Sequence, residues 1–179
     1  MFEFLDPLRE ITTLSVFIKM FLAILCGGAI GIEREHKRRT AGFRTHILIC
    51  LGACMTTMIS HFMFSYLHLY TDVSRLGAGV VAGIGFIGAG TIIVTKRRQV
   101  KGLTTAAGLW TCAIIGLAIG AGYFEAAVLS TVVILLAEIF FSRFEYWVLD
   151  NARNINIFVE YSGTDNLDNV IRTLKTYRV

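Results

Sequence analysis

Charge is what this sequence has least of: 17% of its 179 residues are Asp, Glu, Lys or Arg, where an ordinary soluble domain carries about 25%. Apolar residues make up 55%, and mean hydropathy is +0.64. That much apolar surface exceeds what one core in so short a chain absorbs. The surplus faces a solvent other than water, and a bilayer is that solvent. Signatures of chemistry are also missing. There is no Gly-x-Ser-x-Gly elbow, no His-Glu-x-x-His and no P-loop, so the expectation is a non-enzyme without a cofactor. Basic residues occupy short loops without a stacking platform, and no nucleic-acid partner is expected. The four cysteines, Cys26, Cys50, Cys54 and Cys112, all lie in apolar stretches. Cys50 and Cys54 share a helix face, but no second pair completes a ligand set. They read as buried packing residues, and neither a metal nor a disulfide framework is expected. Glu3, Asp6 and Glu10 stand where a signal peptide would be basic, so the first span reads as a retained anchor.

What is present is a series of apolar spans: about Leu14 to Ile32, Thr45 to Leu69, Leu76 to Val94, Leu103 to Gly122 and Phe124 to Phe141. Each is close to the roughly 20 residues that cross a bilayer as a helix, and none has the alternation of a barrel strand. The fold class is an all-α polytopic membrane protein with five transmembrane helices, residues 1–150, followed by a short α/β segment, 151–179. Lys19, near the start of span one, is expected to snorkel to the interface. The loop after span one carries Arg34, Lys37, Arg38, Arg39 and Arg44, and the loop after span three carries Lys96, Arg97, Arg98 and Lys101. The other two loops hold only Arg75. The positive-inside rule then puts the N-terminus outside and the C-terminus in the cytoplasm. Glu33 with Lys37, and Glu35 with Arg39, are acid-to-base pairs four apart that extend span one as a helix, with Gly42 as its stop or hinge. Span five is expected to overshoot through Trp147. Beyond Asn151, alternation from Ile155 to Tyr161, a turn at Ser162 to Asp165 and apolar residues at Leu167, Val170, Ile171 and Leu174 read as one strand and one helix. These are too few to close a core, so the segment reads as cut short of a larger domain.

Two places concentrate unusual residues. Span three carries Gly77, Gly79, Gly83, Gly85, Gly88 and Gly90. Gly79 and Gly83 form a GxxxG frame, and Gly79, Gly83, Gly85, Gly88 and Gly90 are expected to pack helices closely. A broken helix lining a midplane site is the alternative. Gly83 to Gly88 also fits GxGxxG, but deep in an apolar span with no preceding strand, so it is not a dinucleotide site. Thr104 and Thr105 open span four, as caps or, with the helix N-terminus, as an anion site. Ionisable groups within spans mark function by default. Glu33, Arg34, Arg44, Thr45, His46, Thr104, Thr105 and Glu138 gather toward one membrane face as a candidate functional cluster. It reads as either an ion-paired lock or a vestibule for an ion.

The runs Gly27-Gly-Ala-Ile-Gly-Ile-Glu-Arg-Glu35, Ala41-Gly-Phe-Arg-Thr-His46, Gly83-Ile-Gly-Phe-Ile-Gly-Ala-Gly90 and Gly102-Leu-Thr-Thr-Ala-Ala107 with Trp110 together resemble the MgtC/SapB family over about residues 20 to 140. The resemblance implies a bacterial inner-membrane protein of about five spans, with a cytoplasmic ACT-like domain whose first strand and helix residues 151–179 are similar to. It implies a regulatory role in magnesium homeostasis, low-magnesium adaptation and virulence. It also implies membrane-protein contacts, with the rotary ATP synthase as an expected partner; the glycine faces of the spans point besides to a homodimer within the lipid bilayer. A small oligomeric transporter or channel for Mg2+ or another ion is the competing expectation, with Glu33, Glu35 and Glu138 as its carboxylates.

Overall fold

The structure is a computed structural model that describes residues 3–69, 72–94, 99–150 and 171–172. The ACT-like segment, Lys96 to Arg98, and the side chains of Tyr146 and Trp147 lie outside the described residues. Two compact units divide at Ser142. The first holds the helical bundle. Of the second, the last turns of α5 and the helical residues 171–172 are described.

A 3-10 turn, Glu3–Leu8, leads into α1, Thr13–His36. The start of α1 is fixed by a capping box: Ser15 N–H donates to Thr12 Oγ1 at 3.1 Å and Thr12 N–H to Ser15 Oγ at 3.1 Å, which satisfies two end donors. Its end is set by Arg38 in the left-handed region (φ 52°) and by Arg39 N–H bonding back to the Arg34 carbonyl at 3.0 Å. Then come α2, Phe43–Ser65; α3, Arg75–Thr91; β1, Ile93–Val94, antiparallel to β2, Val100–Lys101; α4, Leu103–Gly120; and α5, Phe124–Asp150. The continuation of span five as helix past Ser142 is thus observed.

Among the described residues, four helices are long and apolar enough to cross a membrane: Thr13–His36, Phe43–Ser65, Leu103–Gly120 and Phe124–Phe144. The apolar helix α3, with 17 residues, reaches about 26 Å at 1.5 Å per residue, just under a hydrocarbon core of about 30 Å. It ends at Thr91, short of the expected Val94, because β1 and β2 draw the chain into a hairpin. Gly102 makes the return possible. Its φ is +98°, and a Cβ there would lie 2.0 Å from the Thr91 carbonyl oxygen, so only glycine fits.

Helices α2 and α4 form the centre, with α1 against both and α3 against both from elsewhere on their surface. The core joins Ala23, Cys26 and Ile30 of α1, Cys50 and Cys54 of α2, Cys112, Ile115 and Ile119 of α4, and Phe124 and Ala127 of α5. The four cysteines are buried there, as expected. On α1 polarity is inverted relative to a helix in water. The inward face of α1 buries Ser15, Lys19 and Arg34, while Leu14, Phe17, Phe21 and Leu25 stand more than half exposed. Such a surface suits hydrocarbon and would aggregate in water.

Close packing is made by glycines, but not those of span three. A Cβ on Gly27 would lie 2.8 Å from the His46 carbonyl oxygen, and one on Gly31 2.7 Å from Phe43 Cα. At Gly116 and Gly120 it would lie 2.2 Å and 2.4 Å from the carbonyl oxygens of Cys50 and Cys54. So α2 is clasped between two GxxxG frames, one on α1 and one on α4. Of the five glycines expected to pack helices, Gly88 meets Ala106 at 3.3 Å, whereas Gly79, Gly83, Gly85 and Gly90 meet nothing within 4 Å. Within this chain their packing role is therefore corrected: a side chain at any of these four would meet no neighbouring helix, and Gly83 borders an open groove between α3 and α2.

Candidate functional site

Arg34 is the organising residue. It lies two turns beyond Gly27 on the face of α1 that Gly27 and Gly31 press against α2, and it is 1% exposed. A guanidinium in such a place must be paired. Its Nε and Nη2 meet Glu33 Oε2, and Nη2 lies 2.6 Å from Glu138 Oε2 on α5. Lys37 completes the set: Nζ is 2.7 Å from Glu33 Oε1 and donates to the Glu138 carbonyl at 2.9 Å. Two carboxylates meet two cations, so the cluster is electrically balanced and ties the end of α1 to α5.

His46, fully buried, sits one turn into α2. Its Nδ1 donates to the Gly42 carbonyl at 2.9 Å, because a carbonyl only accepts. In the neutral ring Nε2 is then an acceptor. It has no partner, and neither has Arg34 Nη1. Cys112 of α4 donates to the His46 carbonyl at 3.3 Å. Gly108 of α4 stands over the ring: a Cβ there would be 3.9 Å from Nε2.

Of the expected cluster, Glu33, Arg34, His46 and Glu138 are brought together. Arg44 is exposed and Thr45 half-buried, and both line an open surface pocket of about 840 Å3 with Glu35, Arg38 and Arg39. Glu35 does not pair with Arg39. Its Oε2 accepts from Phe43 N–H at 2.8 Å, capping α2, whose N-cap Gly42 offers no side chain. Thr104 and Thr105 do not cap α4 either, since Gly102 takes that position. Thr105 is buried, and Thr104 is exposed in a groove of about 340 Å3 beside Glu138. Glu33 and Glu138 meet at Arg34 while Glu35 is engaged at Phe43, so the three do not converge, and among the described residues no three His, Cys, Asp or Glu side chains could hold a metal.

The opposite end holds a site that the sequence reading missed. Lys19 does not snorkel. It is 2% exposed, with Nζ 3.5 Å from the Arg9 carbonyl and with Cys54 and His61 of α2 nearby. It shares a face with Ser15 and Ala23, four residues to either side, and that face is buried; the spacing alone could have flagged it. Arg9 pins the segment that precedes α1. It donates to the Gly122 carbonyl at 2.6 Å and pairs with Glu125 at 2.7 Å and Asp6 at 3.0 Å.

The family model described as the MgtC family matches residues 20–147. The chain belongs to the MgtC family. An uncharacterized protein of Haemophilus influenzae is 41% identical over 140 residues, which is 75% of this chain and 59% of that one. The Escherichia coli K12 protein named "Putative magnesium transporter YhiD" is 36% identical over 156 residues, 85% of this chain and 72% of that one. Protein MgtC of Salmonella typhimurium is 40% identical over 123 residues, 68% of this chain and 50% of that one. The chain thus spans about six-tenths of the Haemophilus relative's length and half of the Salmonella one's. No solved structure matches it. The family match takes in all four members of the Arg34 cluster, the clasping glycines and α3.

Proposed function

We propose that this chain is a non-enzymatic regulatory protein of the bacterial inner membrane. It serves magnesium homeostasis and low-magnesium adaptation, with a consequent part in virulence, and acts through contacts between membrane helices. The observation that carries this reading is the balanced cluster. Its two carboxylates, Glu33 and Glu138, are both held by cations of the same chain. A dication needs several free oxygen ligands, and three of the four carboxylate oxygens here face Arg34 or Lys37, so the cluster works as a lock between α1 and α5. The working surface is then the open face of α3. Gly83, Ile84 and Ile87 with Leu48, Ile49 and Gly52 of α2 frame an apolar groove of about 490 Å3, into which a helix of a second copy fits as a dimer contact. All five helices cross the membrane in this reading, α3 with slight local thinning of the bilayer. The basic loops face the cytoplasm and the N-terminus lies outside. The rotary ATP synthase is a further partner to test by co-purification. In mild detergent the chain should run as a dimer that Gly83→Ile converts to monomer. A strict monomer that co-purifies with nothing overturns the proposal.

A second reading, a small oligomeric transporter of Mg2+ or another ion, draws on the unpartnered Arg34 Nη1 and His46 Nε2 and on the name of the Escherichia coli relative. Magnesium flux into sealed proteoliposomes that Glu138→Gln abolishes would favour it. A tight vesicle without flux removes it.

A further inference from the structure

The turn between α1 and α2 gathers charge that nothing in the chain uses. Arg38 and Arg39 follow the end of α1 and Arg44 opens α2, yet all three line one surface pocket of about 840 Å3. They are exposed, and none of their guanidinium groups makes an ion pair or hydrogen bond among the described residues. Glu35 is the one carboxylate in the lining, and its Oε2 already accepts from Phe43 N–H at 2.8 Å. Three arginines against one carboxylate leave the lining two positive charges in excess. The Thr45 hydroxyl stands there too, with no hydrogen bond of its own among the described residues. Arg38 is in the left-handed region at φ 52°, where glycine or asparagine is favoured, so the turn itself gives no reason for an arginine there. A second depression adjoins the first. It is lined by Ile32, Glu35, His36 and Phe43, so Glu35 and Phe43 belong to both. The Phe43 ring is backed by Gly28, where a Cβ would lie 3.1 Å from Cε2. It stays 39% exposed, and Ile32, one turn back along α1 from His36, is 59% exposed. A cationic bowl thus runs into an apolar shelf on the outer surface of the bundle.

We propose that the α1–α2 turn binds the headgroup of an anionic phospholipid, of the phosphatidylglycerol kind. Its phosphate is gripped by Arg38, Arg39 and Arg44 with the Thr45 hydroxyl as a further donor, and an acyl chain runs over Phe43 and Ile32 into the hydrocarbon. Guanidinium forks match phosphate oxygens in pairs and give up their water more readily than an ammonium does. A phosphatidylethanolamine or phosphatidylcholine headgroup carries the same phosphate with a tethered cation, which the excess positive charge repels. Free phosphate has the charge but leaves the apolar shelf unused. Such a lipid ties the end of α1 to the start of α2, beside the Arg34 lock but sharing no residue with it. The site rests on residence in a membrane, and it holds whether the chain is a regulator or a transporter.

The test titrates the full chain in mild detergent with dioctanoyl phosphatidylglycerol and counts bound lipid by native mass spectrometry. One lipid per chain should bind tightly. A chain carrying both Arg38→Gln and Arg44→Gln should bind it about thirtyfold more weakly, roughly fivefold for each arginine lost. Both positions are exposed and outside every ion pair among the described residues, so the thermal melt should not change. The control chain carries Arg75→Gln and Lys101→Gln, which remove the same charge from positions that do not line the pocket, and it should bind as the parent does. An equal loss in that control overturns the proposal, because net charge alone would then explain the binding. Phosphatidylcholine bound as tightly overturns it too. So does glycerol phosphate competing as well as the lipid, since phosphate recognition would then stand without the shelf. A second copy seated in the pocket, seen as a lipid-free dimer that the double variant splits, overturns it as well.

Discussion

Gly116 and Gly83 each belong to a GxxxG frame inside an apolar helix, yet they live in opposite surroundings. A Cβ on Gly116 would stand 2.2 Å from the Cys50 carbonyl oxygen, while one on Gly83 would meet nothing within 4 Å. The first region, α1–α2–α4, is locked by backbone contact and by the Arg34 cluster. The second, α3, leaves Gly79, Gly83, Gly85 and Gly90 without a close neighbour, while Gly88 still meets Ala106. The same motif thus serves as an internal clasp in one helix and as an open surface in another. Only neighbours decide which, because glycine's value in a membrane is the close approach it permits.

This contrast can be broken at several points. Gly116→Leu should have the largest effect. The contact is with backbone, which has no room to shift, so the folded state should be lost outright in a detergent thermal-melt assay; a folded variant with an unchanged melt would mean that α2 and α4 are not clasped. Next comes Arg34→Leu, which leaves Glu33 and Glu138 without their shared partner at a cost of about 3–5 kcal/mol. Adding Glu138→Gln to it should recover part of that loss in the same melt. Gly102→Ala strains the hairpin between α3 and α4 and should cost more than about 1 kcal/mol, visible as protease cutting between Thr91 and Leu103. Gly83→Ile should leave the monomer within about 0.5 kcal/mol; a large loss there would show that α3 is clasped after all. The smallest effect belongs to the turn before α3. The Ser74 hydroxyl and N–H, bonding Asp72 Oδ1 at 2.6 Å and 2.9 Å, hold that carboxyl below the usual carboxylate range. A lowered native value means that the turn's contribution is present above the ordinary range and fades as pH falls through the depressed one. An NMR titration of Asp72 should show the lowered midpoint, and Ser74→Ala should return it to normal.

Several features were legible in the sequence for physical reasons. Four of the five expected spans were, because length and hydropathy are local quantities, while the third forms a shorter apolar helix. The Glu33–Lys37 pair was, because four residues make one helical turn. Gly42 was misjudged as the stop of span one: α1 ends at His36 with Lys37 as its C-cap, and Gly42 is the N-cap of α2. The polar cluster was half legible. Glu33, Arg34, His46 and Glu138 could be grouped by depth and membrane side, but Arg44, Thr45 and Thr104 share that side without facing inward. Lys19 misled because a lysine near a span end usually reaches water, and only the burial of its helix face against α2 shows that this one does not.

By itself the sequence determined that this is a helical membrane protein of the MgtC family and roughly where its helices run. Those facts follow from hydrophobicity counted along the chain and from motifs read in order. Tertiary structure alone decided which glycines clasp and which lie open, that one arginine joins carboxylates 105 positions apart on the chain, numbers 33 and 138, and that a lysine is enclosed. Each of these depends on what a side chain meets across a helix interface, and a linear pattern carries no record of the face opposite.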